Sequence, residues 1–354
     1  LNQFFFVNRN LAGVTGRDVH GRVLFADSIR ASNGQAFPKL PAGVIANGGT
    51  ARFSTAIDVI NQNKDQAWSV TTSLRKRYSN NWEAMLAYTH ARARDVQSFG
   101  SSTHISNWQF GRTLSGNQFE PFRSISLFDQ THKLTGTGTY TKHWFGEWST
   151  DFTATYSGVS GAPHDYVYAV TGSSGDLNGD GRSGNDLIYV PRSAYNTQEI
   201  RFRNVTGTVN GVPNTVITSV AQQQEAFEKY IKNSPCLNSQ RGQILARNSC
   251  KQPFLNQVDV AIRQTIPSVR GQRLSLQADI TNFGNLLNDK WGQARVTEAS
   301  SNSNVPILTH VGQTTSNPLF AIPIVQFNVN QKEYVVGNFA SNFWRFQLSA
   351  RYSF

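Results

Sequence analysis

Three oxygen-bearing side chains alternate along one short stretch of the chain in a pattern that can bind a cation. Asp176, Asn178 and Asp180 are followed by Gly181. This is the spacing of the first, third and fifth ligands and of the turn glycine in an EF-hand calcium loop. Alternate residues of an extended segment point to one side, so their oxygens can converge on one hard cation. The pattern predicts a calcium site.

The rest of this segment departs from the EF-hand pattern. Arg182 stands at the seventh position and would offer its backbone carbonyl. The twelfth position is Leu187, and the nearest carboxylate is Asp186, one residue earlier. Because Asp, Asn and Gly also favour tight turns, a turn without an ion is the alternative. With Ca²⁺ as the expected cofactor, the predicted ligands are Asp176, Asn178, Asp180, Arg182 and Asp186.

The two cysteines of the chain, Cys236 and Cys250, form the second chemical feature. In an exported chain such a pair forms a disulfide by default, because the compartment is oxidising. Two free thiols or a metal pair are the alternatives, although no His lies near them at zinc-finger spacing. Just before the first cysteine, residues 221–232 are predicted to form a helix, with Phe227 and Ile231 four positions apart on one face.

The sequence carries no recognisable catalytic motif. Its seven His are scattered, and there is no HExxH, GxSxG or P-loop pattern. Ser126, Asp129 and His132 lie close together in the chain near the end of a predicted strand. A solvated cluster at a strand end is the commoner meaning of such a group. We therefore expect no enzyme activity.

The last residues of the chain alternate strictly between apolar and polar side chains. One face carries Trp344, Phe346, Leu348, Ala350, Tyr352 and Phe354. The other face carries Arg345, Gln347, Ser349, Arg351 and Ser353. This period of two predicts a strand with one apolar and one wet side, and its terminal aromatics are typical of a lipid-facing strand. An edge strand of a soluble sandwich is the alternative. Phe354 resembles the terminal residue with which the closing strand of bacterial outer-membrane barrels ends.

The same alternation recurs along the chain and predicts an all-β fold. The predicted strands are residues 53–61, 66–78, 81–94, 127–142, 147–158, 256–266, 272–282 and 343–354. Each is about ten residues long, which is the length that crosses a bilayer as a tilted strand. We expect an antiparallel transmembrane β-barrel with long extracellular loops. Residues 1–52 would be an extracellular loop region with strand pieces near 4–8 and 19–25, and residues 53–354 would be C-terminal strands of the barrel.

The connections between these strands alternate in length. Residues 79–81, 143–147 and 267–271 are short turns, whereas residues 95–127, 158–257 and 283–342 are long connections. Short periplasmic turns and long extracellular loops are the outer-membrane arrangement, which places the C-terminus in the periplasm. The predicted location is therefore the bacterial outer membrane, which implies a targeting segment upstream of Leu1. Outer-membrane lipid, lipopolysaccharide and the barrel assembly machinery are the expected partners.

Charge and hydropathy fit this interpretation. No window approaches eighteen apolar residues, which excludes a transmembrane helix. The formal charge is +11, but the basic residues are spread over strands and loops rather than clustered in a stripe, so we expect no nucleic-acid partner. Inside a wide barrel, basic side chains could hold the carboxylates of a plug or guide an anionic solute, although lumen positions can also be simply polar. The predicted lumen-facing residues are Arg263, Arg273, Arg345 and Arg351.

Several motifs resemble those of one family of outer-membrane receptors. The sequences that carry the resemblance are residues 52–60, 66–78, 82–95, 106–110, 126–133, 176–181, 184–191, 240–243, 247–248 and 279–288. They resemble, in family order, the barrel of Oar-like TonB-dependent receptors. The resemblance implies the C-terminal portion of a barrel of about 22 strands. It also implies that periplasmic TonB acts through an upstream segment, since the family's plug and TonB box have no counterpart in this sequence.

Three functional interpretations follow from these features. In the first, the chain is the barrel of an Oar-like TonB-dependent receptor that takes up or handles a ligand across the outer membrane. In the second, it is a surface structural or adhesion barrel whose long loops bind other surface proteins. In the third, it is a passive porin. A plug and TonB box encoded upstream would favour the first interpretation, and their absence would favour the second.

Overall fold

The structure is a computed structural model that describes residues 3–41, 55–110, 116–169, 175–267, 271–298 and 304–354. It is 50% strand and 10% helix, so the prediction of a mostly β protein is confirmed. Within the described residues, no helix is both long enough and apolar enough to cross a membrane. Residues 53–54 of one predicted strand and residues 268–270 of one predicted turn lie outside the described residues.

The elements are numbered in chain order. The strands are β1 (Gln3–Asn8), β2 (Gly16–Arg17), β3 (Val23–Leu24), β4 (Ala26–Arg30), β5 (Gln35–Pro38), β6 (Ile57–Gln62), β7 (Gln66–Ser79), β8 (Trp82–Asp95), β9 (Ser124–Ile125), β10 (His132–His143), β11 (Ser149–Val159), β12 (Pro163–Ala169), β13 (Tyr189–Val190), β14 (Arg201–Phe202), β15 (Val205–Val209), β16 (Val212–Thr218), β17 (Gln243–Ile244), β18 (Cys250–Lys251), β19 (Leu255–Pro267), β20 (Arg273–Thr281), β21 (Arg295–Thr297), β22 (Asn304–Gln313), β23 (Pro323–Phe327), β24 (Tyr334–Val336) and β25 (Arg345–Ser353). The helices are α1 (His104–Phe110), α2 (Val220–Asn233), α3 (Pro235–Asn238) and α4 (Phe283–Leu287), and a 3₁₀ turn covers Ala340–Asn342.

Seven long strands form one antiparallel sheet, which we call the main sheet. Its order is β7, β8, β10, β11, β19, β20 and β25, which is also their order along the chain, and the short β9 pairs with β8. These strands correspond to seven of the predicted ones. The predicted strand 127–142 begins only at His132, because residues before it form a turn in which the Asp129 amide donates to the Ser126 carbonyl.

The first predicted strand, residues 53–61, takes a different place from the one expected. Its described part, Ile57–Gln62, pairs with Gln3–Asn8 and not with the neighbouring strand of the main sheet. The alternation of apolar and polar residues predicted the strand itself, but it contains no information on the partner. Residues near 4–8 and 19–25 do contain strands, as predicted for the N-terminal region.

Strand pairing aligns the apolar side chains of the main sheet on one face, which we call the apolar face. One row across six strands is Trp82, Tyr140, Phe152, Ile262, Ala278 and Leu348. Because side chains alternate, the next row lies on the opposite face, and its members are Glu83, Thr139, Thr153, Ala261, Asp279 and Gln347. We call this second side the polar face. A one-residue slip in any pair would exchange the two sides of that strand.

The apolar face is exposed instead of packed against a core. Leu74 is 70% exposed and Leu348 is 72% exposed, and aromatic side chains on the same face, such as Phe346, are also open. Exposed apolar patches of this size on a protein surface mark contact with another apolar phase or partner. Among the described strands, β7 and β25 form the two open edges, and the sheet does not close into a barrel.

The described parts of the long connections after β11 and after β20 form a structure that we call the cap, residues 160–169, 175–254, 283–298 and 304–344. Its central sheet has the order β14, β23, β22, β12 and β18. The pairs β12–β22 and β14–β23 are parallel, in contrast to the antiparallel pairs of the main sheet. Parallel pairing is possible because these strands come from connections far apart in the sequence.

The predicted helix and the predicted disulfide both lie in the cap. Helix α2 begins with a capping box between Ser219 and Gln222, and it buries Phe227 and Ile231 in the hydrophobic core of the cap. Cys236 and Cys250 form the predicted disulfide, which joins α3 to β18. The bridge therefore ties the helical part of the cap to the segment that leads directly into β19.

Core packing around α2 gives a testable expectation for the cap. Phe227 is completely buried and packs against Phe202 and Phe327, at ring centroid distances of 5.9 and 5.0 Å. Phe227→Ala is expected to lower the free energy of unfolding by about 3–5 kcal/mol, because it removes these ring contacts and leaves a cavity in the core. Denaturant titration followed by tyrosine and tryptophan fluorescence measures the change. Phe320→Ala, at a side chain that is 66% exposed, is the matched control. An equal loss of stability in both variants would contradict the place of Phe227 in the core of the cap.

Candidate functional site

The loop predicted to bind calcium is wrapped around the carboxylate of Asp176. Its Oδ1 accepts from the amides of Gly179 and Asp180 at 2.7 and 3.2 Å, and its Oδ2 accepts from the Gly181 amide at 2.9 Å. Asn178 Oδ1 accepts from the Asp180 amide at 2.9 Å. The structure therefore brings together the side chains at the first, third and fifth positions of the predicted loop.

Asp180 is the second carboxylate of this loop. Its Oδ1 accepts from the Arg182 amide at 2.8 Å, and its Oδ2 accepts from Asn185 Nδ2 at 2.9 Å. Asn185 is 3% exposed, and its Oδ1 has no hydrogen-bond donor among the described residues. The spacing pattern did not single out Asn185, because the side chain reaches the loop only after the chain has turned back.

The third carboxylate, Asp186, is held mainly by the N-terminal region. Arg22, which is 1% exposed, donates from a guanidinium nitrogen to Asp186 Oδ1 at 3.0 Å and also donates to the Leu187 carbonyl. The other oxygen of Asp186 accepts from the Leu177 amide at 2.9 Å. Asp186 is thus compensated by a buried guanidinium, a partner 164 residues away that no local motif could predict.

Burial has a large effect on the acids of this loop. Burial, together with the charges of Asp180 and Asp186, raises the pKa of Asp176 well above its usual value. Burial also raises the pKa of Asp180. It raises the pKa of Asp186 to about 7, even though the charge of Arg22 acts in the opposite direction. The loop therefore concentrates negative charge at a cost that hydrogen bonds offset only in part.

The acidic side chains of this loop do not form a complete set of metal ligands by themselves. In the parts of the chain that the structure describes, no three His, Cys, Asp or Glu side chains are grouped as ligands of one metal ion. Of the three predicted acidic ligands, Asp176 and Asp180 accept hydrogen bonds from other residues of the loop, whereas Asp186 is paired with Arg22. Calcium binding stays a prediction that the geometry itself does not test.

All four arginines predicted to face a lumen lie on the polar face. Arg263 forms an ion pair with Asp151 on the neighbouring strand at 2.6 Å, and Arg273 approaches Glu147 at 3.5 Å. Arg351 lies opposite Ser275, and Arg345 lies opposite Thr281. The four side chains therefore share one side of the sheet, although two of them are engaged with acids.

Two ion pairs, one buried and one partly buried, connect the cap to the ends of the main-sheet strands, and we call them the rim contacts. Arg247 is 7% exposed and pairs with Asp95 at the end of β8 at 2.6 Å. Lys251 pairs with Asp129 at 2.8 Å, next to the disulfide of Cys250. These contacts were not predicted, because each joins residues more than a hundred positions apart and leaves no periodic signal.

Ser126, Asp129 and His132 do not share one hydrogen-bonded chain. The Ser126 hydroxyl donates to Asp95 at 2.6 Å, and Asp129 accepts from the Ala93 amide at 2.7 Å. His132 Nδ1 lies 2.8 Å from the Tyr88 hydroxyl. The three side chains thus have separate structural partners at the strand ends.

The cap also contains an open cleft with a volume of about 810 Å³. One wall is α2, with Glu225 and Lys229, and the other wall is formed by residues 329–334, with Phe327 and Tyr230 also in its lining. Its size is in the range of ligand-binding clefts. The mixture of acidic, basic and aromatic side chains would suit a ligand with both charged and apolar parts.

Two histidines of the cap, His164 and His310, are buried. His164 is completely buried, and neither of its ring nitrogens has a hydrogen-bond partner among the described residues. Burial lowers the pKa of His164 to about 4, and it lowers the pKa of His310 to about 4 as well. Both rings are therefore neutral at physiological pH.

Together, these features define the chain as a β-rich protein with an open antiparallel sheet, one exposed apolar face and a disulfide-bonded cap. Comparison with models of known families, with characterised proteins and with solved structures gave no match. The function proposed below therefore rests on the chemistry of the described residues.

Titration of His164 gives the second prediction. Its pKa is about 6.5 in an unfolded chain and about 4 in the fold, so the unfolded state binds the proton more tightly. The stability due to the neutral ring is complete above about pH 6.5 and is lost as the pH falls toward about 4. We expect the loss to be on the order of 3 kcal/mol.

The variant His164→Phe isolates this effect. Asp186, whose pKa is raised to about 7, acts in the opposite direction over the same range, so the wild-type profile alone is not decisive. Denaturant titrations between pH 7 and pH 4 measure the stability of both proteins. The difference between them is expected to shift in favour of His164→Phe as the pH falls. His104→Phe, at an exposed ring, should leave the wild-type profile unchanged.

Proposed function

We propose that the main sheet is part of an outer-membrane β-barrel, in the C-terminal region of a TonB-dependent receptor similar to the Oar-like family. The exposed apolar face carries this proposal. In water, an exposed apolar surface that extends over neighbouring strands would be a liability, whereas in a bilayer it is the surface that contacts lipid. The polar face would then line the lumen, where Arg263 and its neighbours would lie.

Strand length supports this placement. The main-sheet strands range from nine residues in β20 and β25 to fourteen in β7 and β8. A transmembrane β-strand needs about 9–11 residues, so each of them is long enough to cross the hydrocarbon region.

The tight-turn end of the sheet has the character of a membrane boundary. Lys76 Nζ lies 3.8 Å from the ring centroid of Trp82, and Lys142 Nζ lies 5.6 Å from that of Trp144. Tyr140 is paired with Trp82 on the same face. Aromatic rings with nearby cations suit the level of lipid headgroups, where the rings bury their apolar part and the cations meet phosphate.

The open edges support a larger barrel. In hydrocarbon, every backbone N–H and C=O group must be paired, so β7 and β25 could not remain as edges within a bilayer. We infer that further strands, supplied outside this sequence, close the sheet, in agreement with the barrel of about 22 strands that the resemblance implies. The cap would then lie over the extracellular mouth, where its cleft beside α2 could capture a ligand before transport.

A surface structural or adhesion role is the second candidate, and a passive porin is the third. The folded cap favours the second candidate over a simple pore, because the hairpin β15–β16 exposes Val212 and Ile217, at 60% and 57%, to potential partners. Intact-mass and N-terminal analysis of the protein from native outer membranes separates the first two candidates. A plug and TonB box in the mature protein would support transport, and their absence would support the structural role. Single-channel conductance of the intact protein would support the porin.

Two neighbouring residues provide the direct test of membrane placement. Leu348 belongs to the apolar face and Ser349 to the polar face, and both are exposed. Leu348→Arg is expected to destabilise insertion by about 2–4 kcal/mol if it lies near the bilayer midplane, whereas Ser349→Arg should be tolerated. Refolding of the full-length protein into lipid vesicles at increasing urea concentrations, followed by gel mobility without boiling, measures the effect. Equal behaviour of the two variants would contradict the proposed lipid-facing side.

A further inference from the structure

The 176–186 loop holds more buried negative charge than the protein around it compensates. Asp186 is paired with Arg22, but the carboxylates of Asp176 and Asp180, at 7% and 1% exposure, are met mainly by neutral N–H donors. Arg182, which is only partly buried, offers Asp180 partial compensation. Burying an ionised carboxylate without a counter-charge is costly. One divalent cation would neutralise the two negative charges of these carboxylates.

The side chain of Asn185 is an independent sign of a ligand. Its amide lies against the Asp180 carboxylate, and its Oδ1 is buried without a hydrogen-bond donor in the described part of the chain. A buried amide oxygen without a partner costs about 1–3 kcal/mol. The orientation of an amide is assigned from its hydrogen bonds, and a half-turn exchanges oxygen and nitrogen without changing the shape. A cation beside Asp180 would give this oxygen a partner.

The hydrogen bonds within the loop leave room for coordination. A carboxylate has about four lone-pair sites, and backbone amides use three of those of Asp176. Calcium sites also take amide and backbone carbonyl oxygens, so a site with two carboxylates does not require a third acid. A calcium site here is therefore compatible with the finding that no three His, Cys, Asp or Glu side chains are grouped as metal ligands among the described residues.

The N-terminal region is packed directly on this loop. The Phe25 amide donates to the Asn178 carbonyl at 2.7 Å. Gly179 has φ +73°, and a Cβ built on it would lie 2.5 Å from that of Ala26, so only glycine permits this close approach. Arg22 reaches Asp186 from the same segment. The loop is therefore in direct contact with Arg22, Phe25 and Ala26.

We propose that residues 176–185 bind one calcium ion through Asp176, Asn178, Asp180, Asn185 and the Arg182 carbonyl, and that the ion fastens the N-terminal segment to the cap. The function of this site would be structural. The proposal does not depend on whether the main sheet lies in a membrane, since every ligand is in the cap.

Calorimetric titration of the purified, chelator-treated chain tests the proposal. Calcium chloride is expected to bind with a dissociation constant of about 10⁻⁴–10⁻³ M, the range of extracellular calcium modules. Asp176→Asn and Asp180→Asn should each weaken binding at least about tenfold, since each removes a charged ligand. Asp289→Asn removes the same charge at an exposed position and is the matched control.

A second readout keeps the test independent of folding defects. Hydrogen exchange should become slower in residues 18–26 and 176–186 of the wild type when calcium is added, while the exchange in β8 stays the same. Hydrogen exchange in α2 as slow in each variant as in the wild type shows that its cap still folds. Absence of binding at about 10 mM calcium, ten times the weakest expected constant, would overturn the proposal. Equal effects of magnesium and calcium, or unchanged binding in both aspartate variants, would also overturn it.

Discussion

The register between neighbouring strands of the main sheet is the constraint on which the rest of this structure depends. Each strand alternates between apolar and polar side chains, and the antiparallel pairing places every apolar row beside the next. A slip of one residue would put the polar side chains of a strand among the apolar ones, which makes the register hard to change. The sheet therefore has two chemically distinct sides before any partner is considered.

The cap adds a second structure with a different physical basis. It buries aromatic and aliphatic residues around α2. The disulfide links its helical part covalently to Cys250, which lies five residues before β19 begins at Leu255. The rim contacts then fix this body to the strand ends through Arg247 and Lys251. Arg247 and Asp95 are both largely buried, so removing one of them would leave the charge of the other without compensation.

Charged side chains have different surroundings in the main sheet and in the cap. The arginines on the polar face are exposed or paired across strands, so they remain compatible with water. The acids around Asp176 are instead buried, and their pKa values are raised. Charged side chains on the polar face are thus solvated or paired, whereas the carboxylates of the 176–186 loop are buried.

The sequence by itself determined the local features of this protein. Period-two alternation predicted the strands of the main sheet, helix periodicity predicted α2, and the two cysteines predicted their bridge, because each signal depends on neighbours or on a unique pair. Only the tertiary structure decided that residues 57–62 pair with residues 3–8, that cap strands run parallel, and that Arg22 compensates Asp186. These contacts join distant parts of the chain, and nothing in the local pattern of either partner specifies the other.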